Sequence, residues 1–195
     1  MPIIIGEALG NDFRNPLGLL TDCHRRIENF LSILQKVAES ANAVLDGEQR
    51  EALSVSLRYF RESAPKHTAD EEESLFPRML GRGQSDIASV LAELNADHRS
   101  LDARHEQIEE LCRGWLANDC LRTEEATRLS VTLAQVREKY VRHITIEERD
   151  VFPLAGRILR PEDLHSIAQE MAQRRGLSVE GDVIRTLAAM SKAEV

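Results

Sequence analysis

Two stretches of the chain carry the same reactive residues in the same order. One reads His67-Thr68-Ala69-Asp70-Glu71-Glu72-Glu73-Ser74-Leu75-Phe76-Pro77, the other His143-Ile144-Thr145-Ile146-Glu147-Glu148-Arg149-Asp150-Val151-Phe152-Pro153. Both have His-x-x-x-Glu-Glu followed by Phe-Pro, and Arg61-Glu62 upstream matches Arg137-Glu138 at the same offset of 76. A second pair, Cys23-His24-Arg25 and Asp97-His98-Arg99, precedes them by comparable intervals: 43 residues from His24 to His67 and 45 from His98 to His143. His67 and Glu71 stand four apart and share one face of a helix, as do His143 and Glu147. The predicted ligand set is therefore His24, His67, Glu71, His98, His143 and Glu147. Imidazole and carboxylate are borderline to hard donors that suit Fe, Mn or Zn, and no thiolate is placed for a zinc-cysteine site. A carboxylate can bridge two ions with its two oxygens, so one Glu from each copy could join a pair of transition metals.

Helices must position these groups. Asn15-Pro16 is a helix start, with Pro at the first helical position. The stripe Leu17, Leu20, Ile27, Leu31, Leu34 carries that helix to about Ala43. After a turn at Asp46-Gly47, a second helix is predicted from about Glu48 to Met79, kinked at Pro65. Gly81-Arg82-Gly83 breaks the chain. Ser85 is the expected cap of a third helix that ends at Asn118-Asp119, and Thr123 the expected cap of a fourth reaching about Leu159. Pro161 opens a short fifth to about Arg175, and residues 176–195 are expected to be partly helical and frayed. Four long helices with short connections fold most simply as an up-down-up-down bundle, all-α, over residues 1–160, with a C-terminal helix and tail over 161–195. His24 then lies roughly 12 Å into its helix and His67 roughly 20 Å from the end of its own, at about 1.5 Å per residue. All four imidazoles fall near one level, as two copies of one helical hairpin.

Composition agrees. The 195 residues are 42% apolar and 30% charged, with aromatics at 4%, 10 Gly and 6 Pro, as expected of a helical globular chain. The formal charge is −8 and there is no long basic run, which argues against nucleic acid or an anionic membrane as partner. No membrane-spanning or targeting segment is read, and three cysteines without a Cys-x-x-Cys pair do not suggest a disulfide framework. A cytoplasmic protein is expected.

The remaining polar residues have more ordinary readings. Glu72 and Glu148 point about 100° from the ligand Glu and read as surface charge or as support for a ligand. Glu28, four after His24, and Asp102, four after His98, are exposed helix charge or a hydrogen-bonding support or weak extra ligand. His105 reads as a core or groove histidine, His165 as solvated, Cys23 as packing. Tyr59 and Tyr140 could line the site, with core packing as the simpler role. The run Asp70 to Glu73 reads as a solvated face apart from Glu71.

On His24, His67-x-x-x-Glu71, His98 and His143-x-x-x-Glu147, with the Leu-Phe-Pro and Val-Phe-Pro ends, the chain resembles the hemerythrin-like HHE cation-binding domain family over roughly residues 14–158. The resemblance implies a four-helix bundle with a non-haem di-iron centre, oxo- or hydroxo-bridged, in which Mn or Zn can substitute for the two Fe ions. It implies a protein that binds or senses O2, NO or peroxide. The alternatives are a redox enzyme that consumes peroxide or O2, an iron store, or an iron-centre repair protein. The sequence departs from the O2 carriers of the family in two places. Asp102 stands where their third helix supplies a second His, and the fourth helix pairs His143 with Glu147 in place of His and Asp five apart. The set is closer to the symmetric pattern of the repair proteins, although the segment before Asn15 is too short for their Cys-containing domain.

Overall fold

The computed structural model describes residues 11–83, 85–180 and 183–186. Helix α1 (Pro16–Ala38) starts where Asn15 accepts a hydrogen bond from the Gly18 N–H at 3.1 Å, with Pro16 in the first turn. It stops short of Ala43, because the Ser40 and Ala41 N–H groups bond three residues back and tighten the chain out of the α-helix. Asp46 and Gln49 form a reciprocal capping box that starts α2 (Gly47–Glu62). In place of the kink expected at Pro65, the helix breaks at Ser63, and Pro65 occupies the first turn of α3 (Ala64–Ala69).

The next turn, Asp70–Leu75, is π-helical and leads into α4 (Phe76–Leu80). The pattern recurs in the second copy. Helix α5 (Ser85–Asn118) ends at Asp119, whose φ of 66° is left-handed. Ser85 is its first helical residue, not its cap, and the residue before it lies outside the described residues. Helix α6 (Thr123–Ile146) runs into a π-helical turn, Glu147–Val151, and then α7 (Phe152–Ile158). Thr123 is its first helical residue, not its cap, and Glu125 takes up the Arg122 N–H at 3.0 Å. Pro77 and Pro153 follow the two π turns and disturb the helix there. A proline lacks the helical N–H and clashes with the carbonyl four residues back, and here the turn before it opens to a bond five residues long. The Phe76 N–H reaches the Glu71 carbonyl, and the Phe152 N–H reaches that of Glu147.

The helices form an all-helical bundle in which α1 packs on α2 and on α6, and α5 on α6. Two apolar clusters fill it. The larger is built around Leu34, Leu53, Ile108, Trp115 and Leu129. The smaller is built around Leu20, Phe76, Leu94, Val151 and Met171. The buried His and Glu side chains lie in the stretch of helix between the two. Helix α8 (Pro161–Arg174) closes the smaller cluster with Ile167 and Met171. It is clamped by Arg174 and Arg175 on Asp70, and by Arg78 on Glu170.

Among the described residues beyond α8, two strands stand where partial helix was expected. Strands β1 (Leu177–Glu180) and β2 (Val183–Thr186) pair antiparallel, with Leu177 opposite Thr186. Val179, Val183, Ile184 and Thr186 are β-branched and favour strand over helix. The expectation of fraying over residues 187–195 lies outside the described residues. Among the described residues no helix is long and apolar enough to cross a membrane.

Candidate metal centre

All six predicted ligands are buried and meet between the helices. Helix α1 supplies His24, α3 His67, α5 His98 and α6 His143, while the two π turns supply Glu71 and Glu147. They form two overlapping groups of four: His24, His67, Glu71 and Glu147, and Glu71, His98, His143 and Glu147. Within each group the donor atoms lie within 4.8 Å of one another. The two carboxylates are common to both groups. Glu71 turns Oε1 toward His67 Nε2 (3.3 Å) and Oε2 toward His98 Nε2 (3.4 Å). Glu147 turns Oε2 toward His24 Nε2 (3.1 Å) and Oε1 toward His143 Nε2 (3.1 Å). Each Glu therefore offers one oxygen to each group.

This donor set fits cations. Both oxygens of Glu71 and of Glu147, and Nε2 of His24, are buried with no hydrogen-bond partner. Two wholly buried carboxylates without hydrogen bonds are costly unless positive charge lies among them. In the bare protein the imidazoles supply part of that charge. Burial works against protonation of His24, yet the nearby carboxylates of Glu147, Glu148 and Glu71 raise it well above the usual histidine range. Burial is likewise outweighed at His98, where Glu71 and Glu72 raise the ring to about 9. For His67 burial prevails and lowers it to about 4. Burial also opposes ionisation of Glu71, but the three imidazoles around it, His67, His24 and His98, bring it well below the usual carboxylate range.

The second Glu of each repeat has a definite position. Glu148 Oε1 accepts from His24 Nδ1 at 2.9 Å, and Glu72 Oε1 accepts from His98 Nδ1 at 2.8 Å. A carboxylate on Nδ1 fixes the ring and directs Nε2 toward the centre. The Phe of each Phe-Pro lies parallel to the same ring: Phe152 over His24 (centroids 5.4 Å apart) and Phe76 over His98 (6.5 Å). Each hairpin thus braces the early histidine of the other. The later histidines differ. Both Nδ1 atoms are buried without a hydrogen bond, but that of His143 faces Asp97 Oδ2 at 3.7 Å, and Asp97 is held by Lys139. Cys23 holds the sequence position that corresponds to Asp97.

Glu28 touches no ligand. It pairs with Arg25, which pairs in turn with Glu148, so it ends a chain that reaches His24 through two residues. Asp102 is exposed and lies outside both donor groups. Asp70 departs from the solvated-face reading: it is fully buried and bound by Arg174 and Arg175. His105 is bonded through Nε2 to the Tyr140 hydroxyl at 2.9 Å, Tyr59 stacks on Phe30, Cys23 is buried, and His165 is exposed. Sequence reasoning gave no part to Asp97, Phe76 or Phe152. The duplicated Phe-Pro was the available signal for the two phenylalanines.

Fold and site together define a helical metal-binding bundle with two donor groups joined by shared carboxylates. Residues 15–155 match the Hemerythrin HHE cation binding domain, and the chain belongs to that family. It is also similar to an uncharacterized protein of Haemophilus influenzae, 27% identical over 173 residues that span 84% of this chain and 91% of that protein.

Proposed function

We propose that the protein holds two transition-metal ions, iron in the cell and Mn or Zn as substitutes, and that the pair binds or senses O2, NO or peroxide in the cytoplasm. The observation that carries this reading is the sharing of Glu71 and Glu147 between two four-residue donor groups. One ion would sit among His24, His67 and the two carboxylates, the other among His98, His143 and the same carboxylates. Two imidazoles and two carboxylate oxygens per ion leave room in an iron coordination shell for a small exogenous ligand. When bound, the metals supply reversible electron transfer and open positions for that ligand.

The chain does the rest. Glu72 and Glu148 hold the tautomers of His98 and His24, so that Nε2 faces inward. Phe76, Phe152 and the apolar clusters on either side restrict water around the centre. Elemental analysis of protein purified without oxygen, with optical spectra before and after O2 and NO, tests the reading. Two irons per chain with spectra that respond to either gas support it. Less than one metal per chain after reconstitution overturns it.

A further inference from the structure

The cavity that reaches the four imidazoles is much larger than a diatomic ligand needs. It measures about 420 Å³, the space beside the imidazoles where the ions would sit included, and extends from His24, His67, His98 and His143 along the bundle, past Leu57 and Ile108. A diatomic molecule is comparable in size to water, whose share of liquid volume is about 30 Å³, and an apolar cavity of about 150 Å³ already accepts benzene. A volume of about 420 Å³ falls in the range of small-molecule sites.

The walls define the chemistry of an occupant. Leu34, Leu57, Phe60, Leu101, Ile108 and Ile144 make them largely apolar. Between the metal-site imidazoles and the charged outer lining, the His105–Tyr140 hydrogen bond interrupts these apolar walls, with His105 stacked on Phe60 at 4.4 Å. Burial lowers His105 to about 4 and raises the Tyr140 phenol, so both groups are neutral at pH 7. A neutral pair offers a donor and an acceptor but no counter-charge for an anion. The outer lining, between α2–α3 and α5, includes exposed Asp102 and Glu106, while the Arg61 guanidinium there is engaged by Glu109 and Glu62. That entrance disfavours carboxylates and phosphates.

We propose that this cavity binds a neutral, largely apolar organic molecule of one or two rings, whose single hydroxyl is held by the Tyr140–His105 pair beside the metal centre. The position beside reactive metals rests on the function proposed above; the binding itself comes from the walls of the bundle. The probe is 2-naphthol, followed by its fluorescence and by calorimetry on iron-loaded protein of measured metal content. Saturable binding of one molecule per chain is expected. Leu57→Trp, which fills the apolar wall, should weaken it at least about tenfold without changing metal content. Tyr140→Phe should weaken it about 3- to 10-fold, the effect of one lost hydrogen bond. Naphthalene, which lacks the hydroxyl, should bind about 3- to 10-fold more weakly than 2-naphthol. Absence of saturation, or affinity equal to the unaltered protein in both variants, overturns the proposal. If Leu57→Trp does not fold, Tyr140→Phe and the naphthalene comparison decide alone. Two irons without naphthol binding sinks this inference and spares the metal reading; naphthol binding without a metal pair does the reverse.

Discussion

Replacing Glu148 by Gln tests whether the second Glu of the repeat supports a ligand. The carboxylate lies 2.9 Å from Nδ1 of His24, a ring that is itself fully buried. Losing such a partner typically costs 10- to 100-fold in metal affinity, about 1.4–2.7 kcal/mol. Two features place Glu148→Gln near tenfold. The amide oxygen can still accept from Nδ1, so only the charge is lost, and the side chain is 27% exposed, so water screens part of that charge. Glu148→Ala removes the acceptor too and should approach the upper figure. His24 belongs to one donor group only, so a competition titration against a chromophoric chelator should show one of two binding steps weakened. Glu72→Gln should weaken the other step through His98, and the double variant both. Glu73→Gln, exposed and paired with Arg174, is the control. Both steps unchanged in Glu148→Gln, or a loss no larger than in the control, would refute the bracing role.

Three further outcomes follow from the same geometry. Metal-free protein should melt below the metal-loaded form, and increasingly so with pH: the raised folded-state values of His24 and His98 contribute stability that is complete below their unfolded pKa near 6.5 and lost as pH rises through the folded values, about 9 for His98. Thermal melts of both forms from pH 6 to 10 check this, and a gap that narrows as pH rises would contradict it. Asp70→Asn, which leaves Arg174 and Arg175 facing a neutral amide, should cost about 2–3 kcal/mol in urea unfolding and speed hydrogen exchange in α8; unchanged values would mean that the clamp contributes nothing. Asp102→Asn should leave two metals per chain, because this carboxylate lies outside both donor groups, and loss of one metal on elemental analysis would make it a ligand.

The helices and the six clustered residues were legible because a duplication repeats both the heptad-like stripe and the spacing His-x-x-x-Glu. The bracing of one hairpin by the other was not. Sequence spacing reports which residues share a helix face, but Glu148 reaches His24 across 124 positions, and only the packing of α1 on α6 brings them together. The burial of Asp70 was hidden for the same reason, since an acidic run reads as solvated until the arginines 104 and 105 positions later are placed on it. The π turns lie between these cases. Pro77 and Pro153 announce a disturbed helix, but kink, break and widened turn are alternative responses to a proline, and tertiary contacts select among them. Residues 177–180 and 183–186 were misread because helix was extended past Gly176 into a segment rich in β-branched residues.

X-ray absorption at the iron edge, on the protein loaded with iron, tests the central claim most directly. If Glu71 and Glu147 join two ions, the spectrum will show a shell of nitrogen and oxygen only and an iron–iron vector shorter than about 4 Å. A spectrum with no iron–iron vector, or with sulfur in the first shell, would contradict it.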